Sequence, residues 1–271
     1  MLIRFMKVQL QALGTALQLL TRIPVPVVIP FTPQMLARSV IYYPLVGAII
    51  GGIVAGAAAL LHGVVPAMPA AVIVLIVWIM LSGGLHMDGL MDTADGVLSH
   101  RSRERMLEIM KDSRVGAMGV LAAVLVLLFK FSSLAAIMDE SELQWRIFFP
   151  LIMLACAWSR LWIVIAMALF PFARPNEGMA ALFRAVRYRH AACALLVTLL
   201  LSAGALLIWP SAELQSAFVA LLLLGGITIA AGWMLGLWLT RKLSGLTGDT
   251  YGAMCEIIES ILLFYLMLVL V

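Results

Sequence analysis

Polar residues in the first twenty positions recur at Arg4, Lys7, Gln11, Thr15 and Gln18, every three to four residues. At 3.6 residues per turn this spacing draws one polar stripe along an otherwise apolar helix, fit to lie in a membrane interface or dock on a bundle. Arg22-Ile-Pro-Val-Pro26 ends it, because two prolines remove backbone donors and fix φ. Seven apolar stretches follow, near 40–62, 68–84, 116–138, 147–171, 190–209, 217–239 and 252–271. Each approaches the roughly 20 residues that a transmembrane helix needs. The second is the shortest and runs into Gly83-Gly84. With no fixed-period repeat or low-complexity linker, the pattern predicts an all-α, polytopic helical membrane protein. One domain covers 1–271: about seven transmembrane helices, an N-terminal amphipathic helix and a helical cytoplasmic loop between spans two and three.

Composition agrees with this reading. Of 271 residues, 64% are hydrophobic and 12% charged, whereas soluble domains are about half apolar and a quarter charged. That balance excludes a soluble enzyme, a disordered scaffold, a nucleic-acid binder and a secreted disulfide protein. Cys156, Cys193 and Cys255 lie in or beside apolar segments without CxxC spacing and read as small core residues. Gln9, Gln11 and Gln18 interrupt the first apolar stretch and no A-x-A site follows, so a signal peptide is not expected.

Charge orients the spans. Fifteen of the eighteen Lys and Arg fall before span one or in the connections two-to-three, four-to-five and six-to-seven. The opposite connections hold Arg146 alongside Asp139, Glu140, Glu142 and Glu213. The positive-inside rule then puts the N-terminus in the cytoplasm and the C-terminus outside.

Acids are scarce and clustered. Of fourteen, six lie within Asp88–Asp112 and three within Asp249–Glu259. Asp88, Asp92 and Asp95, at i, i+4 and i+7, share one helix face, where like charges repel. Set against a plain solvated acidic loop, the reading taken here is a hard divalent cation, Mg²⁺ or Mn²⁺, held by those oxygens. Gly83, Gly84, Gly89 and Gly96 leave room for a ligand or another backbone, and His86 stands close enough to act as a base or an outer-sphere group. Glu104 and Glu108 with Arg101 and Arg105 read as pairs on an exposed helix. Lys111-Asp112-Ser113-Arg114-Val115-Gly116, at the start of the third span, is open to two readings: phosphate binding at a helix N-terminus, or simple cytoplasmic charge.

The second cluster runs from Leu246 to Glu259, with Asp249 and Glu256 seven apart and Glu256 and Glu259 inside the last span. Glu259 suits an ion pair with Lys130 or Arg160 as well as a catalytic role, whereas Asp249 and Glu256 read as functional. Two carboxylate sets facing one cytosolic mouth, with cations between, suit metal-assisted phosphoryl transfer. Asp88, Asp92 or Glu256 is then the base, and the residues do not decide among them.

Three motifs carry a family resemblance: Gly83-Gly-Leu-His-Met-Asp-Gly-Leu-Met-Asp-Thr-Ala-Asp-Gly96, Met106-Leu-Glu-Ile-Met-Lys-Asp-Ser-Arg-Val-Gly116 and Thr247-Gly-Asp-Thr-Tyr-Gly-Ala253. With Thr21-Arg-Ile-Pro-Val-Pro26 and Tyr43-Pro-Leu-Val-Gly47, the chain resembles the cobalamin synthase (adenosylcobinamide-GDP ribazoletransferase) family nearly end to end. Met87 and Met91 depart from the smaller or branched residues expected there and touch no proposed ligand. The resemblance implies a Mg²⁺-dependent transferase of the bacterial inner membrane. It joins adenosylcobinamide-GDP to α-ribazole or its 5′-phosphate and releases GMP. It implies Asp88, Asp92 and Asp95 on Mg²⁺, Lys111 and Arg114 on the diphosphate, and Asp249 and Glu256 on a second metal or the nucleophile. Asp112, Ser113, Gly116 and Thr247 join the substrate-binding set, and His86 the catalytic one. The partners implied are these two substrates and the lipid bilayer, without nucleic acid; homo-oligomer formation and association with other enzymes of nucleotide-loop assembly stay open. The competing readings are a CDP-alcohol type phosphotransferase and a cation- or proton-coupled transporter. The first lacks its Ala-Arg pair after Asp92; against the second, the acids gather at one mouth. The connection from Arg174 to Arg189 reads as cytoplasmic charge, with no residue assigned.

Overall fold

The polar stripe of the first twenty residues folds as the helix α1 (Leu2–Leu20), and among the described residues every later element is also helical apart from one isolated bridge between Phe172 and Leu246. The computed structural model describes residues 2–140, 145–174, 182–209 and 214–271. The next helix, α2 (Pro33–Ser39), starts at Thr32, whose hydroxyl accepts the Met35 N–H at 3.2 Å, with proline in the first turn where no backbone donor is lost. A 3₁₀ turn, Val40–Tyr42, passes it into α3 (Tyr43–Leu61), and Pro33–Leu61 is together long and apolar enough to cross a membrane. The remaining long helices are α4 (Ala67–Ser82), α7 (Ala117–Asp139), α8 (Trp145–Leu169), α9 (Tyr188–Ile208), α10 (Leu214–Leu243) and α11 (Gly248–Leu270), with the shorter α5 (Leu85–Val97) and α6 (Arg103–Ile109) between α4 and α7.

Among the described residues, six helices can each span a bilayer, and a seventh span is counted when α4 and α5 are taken as one broken unit bent by 88°. The break has a local cause. Gly83 and Gly84 both take positive φ, 63° and 74°, a region that favours glycine. The Gly84 N–H bonds Ile79 O and the Gly83 N–H bonds Met80 O, each at 3.1 Å. This closes the last turn of α4 in a Schellman pattern. Arg22 straps the corner: its N–H donates to Leu81 O at 2.8 Å, and its side chain fills the space that a side chain at position 83 would need. The acidic helix α5 is therefore not the end of a straight span. It turns off at nearly a right angle.

The interior is built around α8, whose Phe148, Leu151, Leu161 and Trp162 are fully enclosed. Along α3, Gly47 and Gly51 lie against the backbone of Cys156 and Ile152 with no room for a side chain, the small-residue packing that membrane helices use. Outward faces carry large apolar residues instead, such as Leu125 and Leu128 on α7, Leu196 and Leu200 on α9 and Leu222 on α10, as a lipid-facing surface requires.

Four buried charges lock three helices together. Lys130 of α7 donates from Nζ to Glu256 Oε2 at 2.6 Å and to Glu259 Oε2 at 2.9 Å, while Arg160 of α8 pairs with Glu259. Lys130 also sits 4.8 Å from the centre of the Trp78 ring of α4, within cation–π range. A single charge at a helix centre costs about 2.5–3.5 kcal/mol to insert, so two cations set against two carboxylates make up a neutral group that none of the members forms alone. Lys130→Met strands Glu256 and leaves Glu259 to Arg160 alone. It is expected to lower stability by about 3–5 kcal/mol, read as a fall in the unfolding midpoint in detergent; Lys130→Arg retains most of it. An unchanged midpoint for Lys130→Met would show that the cluster does not hold the bundle.

Candidate active site

The two acidic stretches meet because α5 and α11 touch backbone to backbone. A Cβ added to Gly89 would lie 2.7 Å from Asp249 O, and one added to Gly252 would lie 3.1 Å from His86 Cα and O. These glycines serve the helix contact itself. Beside the contact opens a cavity of about 180 Å³. Its polar wall is His86 and Asp88 from α5 with Asp249 and Tyr251 from α11, and Leu19, Leu20, Ile163, Met167 and Phe183 make the apolar wall. Asp92 stands one turn further along α5, within electrostatic reach of Asp88, Asp249 and Asp95.

The start of α11 is fixed locally. Thr247 and Thr250 cap it reciprocally, with Thr247 N–H donating to Thr250 Oγ1 at 2.8 Å and Thr250 N–H to Thr247 Oγ1 at 3.3 Å. The Thr247 hydroxyl also donates to Asp249 Oδ2 at 3.3 Å. Thr247, expected on substrate, is buried and holds Asp249 through this bond.

The other expected site residues have partners within the protein or lie outside the cavity lining. Asp95 is engaged by another helix. Its two oxygens accept the N–H groups of Gly116 (2.7 Å) and Gly119 (2.8 Å) and so cap α7, satisfying donors that a helix start leaves unpaired. For the same reason the Gly116 N–H does not face a phosphate: a protein carboxylate already occupies that N-terminus, and a side chain at 116 or 119 would collide with it. Glu256, expected as metal ligand or base, is held by Lys130 inside the bundle. Lys111, Asp112, Ser113 and Arg114 lie outside the cavity lining. Asp112 and Arg114 engage each other at 2.6 Å, and the Arg114 guanidinium holds the Asp112 carboxyl down at about 2.

Other residues enter that the sequence left unassigned. Arg103 donates to Leu243 O (2.8 Å) and Ala173 O (3.0 Å), and Arg174 donates to Leu107 O while lying within electrostatic reach of Asp249. With the Ala173 to Leu246 and Leu246 to Pro171 backbone bonds of 2.9 and 2.8 Å, they lace three connections beneath the cavity. Tyr251 is the clearest omission. Its hydroxyl, like His86 Nδ1, is buried beside the cavity with no hydrogen-bond partner among the described residues. A buried polar group left unpaired costs about 1–3 kcal/mol, so both atoms are poised for a ligand. The one signal in the sequence was a hydroxyl two positions after Asp249 in the same motif.

Among the described residues no group of three or more His, Cys, Asp or Glu is gathered tightly enough to hold a metal ion by itself. The open carboxylates Asp88, Asp92 and Asp249 nevertheless fit Mg²⁺ chemistry. That ion usually takes one or two carboxylates and completes its shell with water and substrate phosphate oxygens.

Fold and site define a multi-pass helical membrane protein with a carboxylate-walled cavity where two helices meet at one end of the bundle. The family described as Cobalamin-5-phosphate synthase matches residues 12–268. Over 246 residues the chain is 41% identical to the adenosylcobinamide-GDP ribazoletransferase of Desulforamulus reducens, covering 89% of this chain and 92% of that protein. It is 40% identical over 264 residues to the protein of that name from Roseiflexus sp., covering 93% and 87%. To the one from Pseudomonas paraeruginosa it is 39% identical over 265 residues, covering 97% and 100%. No solved structure matches. The chain belongs to the cobalamin-5-phosphate synthase family.

The glycine contact gives a direct test. Gly89→Ala forces α5 away from Asp249 and is expected to cost about 1–3 kcal/mol as overpacking. Gly226→Ala on α10, with nothing within 4 Å, is expected to be neutral or slightly stabilising. Thermal unfolding of the two variants side by side decides; equal midpoints would rule out the tight crossing.

Proposed function

We propose that the protein is an adenosylcobinamide-GDP ribazoletransferase of the bacterial inner membrane. It joins adenosylcobinamide-GDP to α-ribazole or α-ribazole 5′-phosphate, forming adenosylcobalamin or its 5′-phosphate and releasing GMP. The observation that carries the reading is the meeting of Asp88 and Asp249 in one half-apolar cavity, in a chain whose relatives over most of its length carry that name. The charge distribution supports a cytoplasmic N-terminus, with the cavity opening to the cytosol where both substrates are soluble at their reacting ends.

The reaction is a displacement at the phosphorus next to the cobinamide. A ribose hydroxyl of the ribazole forms the new P–O bond, the bond to GMP breaks, and GMP leaves with its phosphate. Since the 5′-phosphate survives into the product when the substrate carries one, the attacking hydroxyl is not the 5′ one. Asp88 and Asp92, one turn apart, would hold Mg²⁺; bound there, the ion neutralises charge on the phosphate oxygens. Asp249, oriented by Thr247, takes the proton of the attacking hydroxyl. His86 and Tyr251 offer their unpartnered polar atoms to the substrate. The apolar wall receives the flat ribazole base and excludes water. At about 180 Å³ the cavity is below the 300–1,000 Å³ of a pocket for a whole drug-sized ligand, so it takes in the reacting end while the corrin ring stays outside.

Asp92→Asn and Asp95→Asn separate the two jobs on one helix face. Asp92→Asn is expected to abolish Mg²⁺-dependent GMP release with membrane insertion intact. Asp95→Asn lowers the unfolding midpoint and leaves the Mg²⁺ concentration for half-maximal activity unchanged. Activity near the unsubstituted level in Asp92→Asn would overturn the metal assignment. Asp249→Asn should slow turnover by about 10²–10⁴-fold, the range for a general base. Tyr251→Phe removes a hydroxyl with no hydrogen-bond partner among the described residues, so KM should rise while the melting temperature stays put. A fall in stability without a change in KM would make Tyr251 a packing residue.

A further inference from the structure

The N-terminal half of α1 forms one side of another, open groove of about 810 Å³, which shares no lining residue with the cavity. Three arginines reach it from separate elements: Arg4 of α1, Arg38 of α2 and Arg189 of α9. Among the described residues no carboxylate lines the groove, and none pairs with these guanidinium groups. The other polar groups are also donors. Gln9 Oε1 accepts the Tyr42 hydroxyl at 2.8 Å, which turns the amide NH₂ to the remaining side. His190 Nδ1 accepts the Arg187 N–H at 3.0 Å, so in the neutral ring the proton sits on Nε2. His190 is 6% exposed and lies within electrostatic reach of Arg38, Arg187 and Arg189. Each of these side chains presents a donor, and among the described residues no carboxylate answers them. The complement is an anion with several oxygens.

The floor of the groove narrows the choice. Val8, Ile41 and Cys193 make it apolar, while Met6 and Leu10 are exposed on the other face of α1, along a separate groove. A cationic rim over an apolar floor at the edge of a membrane bundle matches a phosphate head group with acyl chains below it. We propose that this groove binds the phosphate of an anionic phospholipid, at a site separate from the reaction. Leu19, which lines the cavity, is fifteen residues from Arg4 on the same helix, roughly 22 Å at 1.5 Å per residue. A lipid seated there clamps α1, α2 and α9 together.

The test uses the full-length protein in detergent, titrated with phosphatidylglycerol, phosphatidylcholine or inorganic phosphate while thermal unfolding is followed. Phosphatidylglycerol is expected to raise the midpoint; phosphatidylcholine and inorganic phosphate are not. Arg38→Gln/Arg189→Gln should weaken the apparent lipid affinity about thirtyfold, each surface cation contributing roughly fivefold, while GMP release in saturating lipid is retained. Equal lipid stabilisation of both proteins overturns the proposal. Stabilisation by inorganic phosphate as strong as that by phosphatidylglycerol, and lost in the variant, overturns the lipid source and assigns the groove to a soluble phosphate compound. If the double variant does not fold, Arg4→Gln at the exposed rim replaces it, with about a fivefold loss expected; no loss there overturns the proposal equally.

Discussion

A lysine inside the membrane bundle sets the conditions for the rest of the protein. Lys130 satisfies Glu256 and Glu259 together, and Arg160 brings α8 to the same point. Without these bonds, four ionised groups would each need water that a bilayer core does not hold. With them, α11 is fixed in rotation and depth against α7 and α8. Because α11 is one stiff helix, fixing Glu256 also fixes Asp249 two turns earlier. The carboxylate at the cavity is aimed by ion pairs that lie outside the cavity lining.

The two acidic stretches thus divide their labour by neighbour and not by residue type. On α5, Asp88 faces the cavity, Asp92 stays open beside it, and Asp95 is taken up by the N–H groups of Gly116 and Gly119. On α11, Asp249 faces the cavity and Glu256 faces a lysine. In each set a residue near the glycine contact faces the cavity and a more remote one is bonded to another helix. A helix pair pressed together at Gly89 and Gly252 leaves room for a ligand only beside the crossing.

The spans were legible in the chain because hydropathy is a one-dimensional signal. The expected 116–138, 147–171 and 190–209 correspond to Ala117–Asp139, Trp145–Leu169 and Tyr188–Ile208. The polar stripe of α1 was legible for the same reason. The acidic mouth was half legible: charge spacing put Asp88, Asp92 and Asp95 on one face, but spacing cannot tell a carboxylate awaiting a cation from one that caps another helix. That distinction rests on Gly116 and Gly119 arriving from α7. Glu256 read as functional because its partner lies 126 positions away. Tyr251 escaped notice because an unpaired hydroxyl is defined by what fails to surround it. Gly83-Gly84 was visible as an uncertain end, though not as an 88° corner.

The corner between α4 and α5 has a consequence for how the protein is made. A straight continuation from Ala67 to Val97 would carry Asp88, Asp92 and Asp95 on the axis of an inserting helix, beginning about 31 Å along it, at the far edge of a roughly 30 Å hydrocarbon core. Two left-handed glycines divide that stretch before the first aspartate. The apolar α4 can then partition into lipid as a segment without a single charged residue, and the acids leave its axis at the corner. The turn that sets Asp88 at the cavity also frees the inserting segment from the charges that follow it.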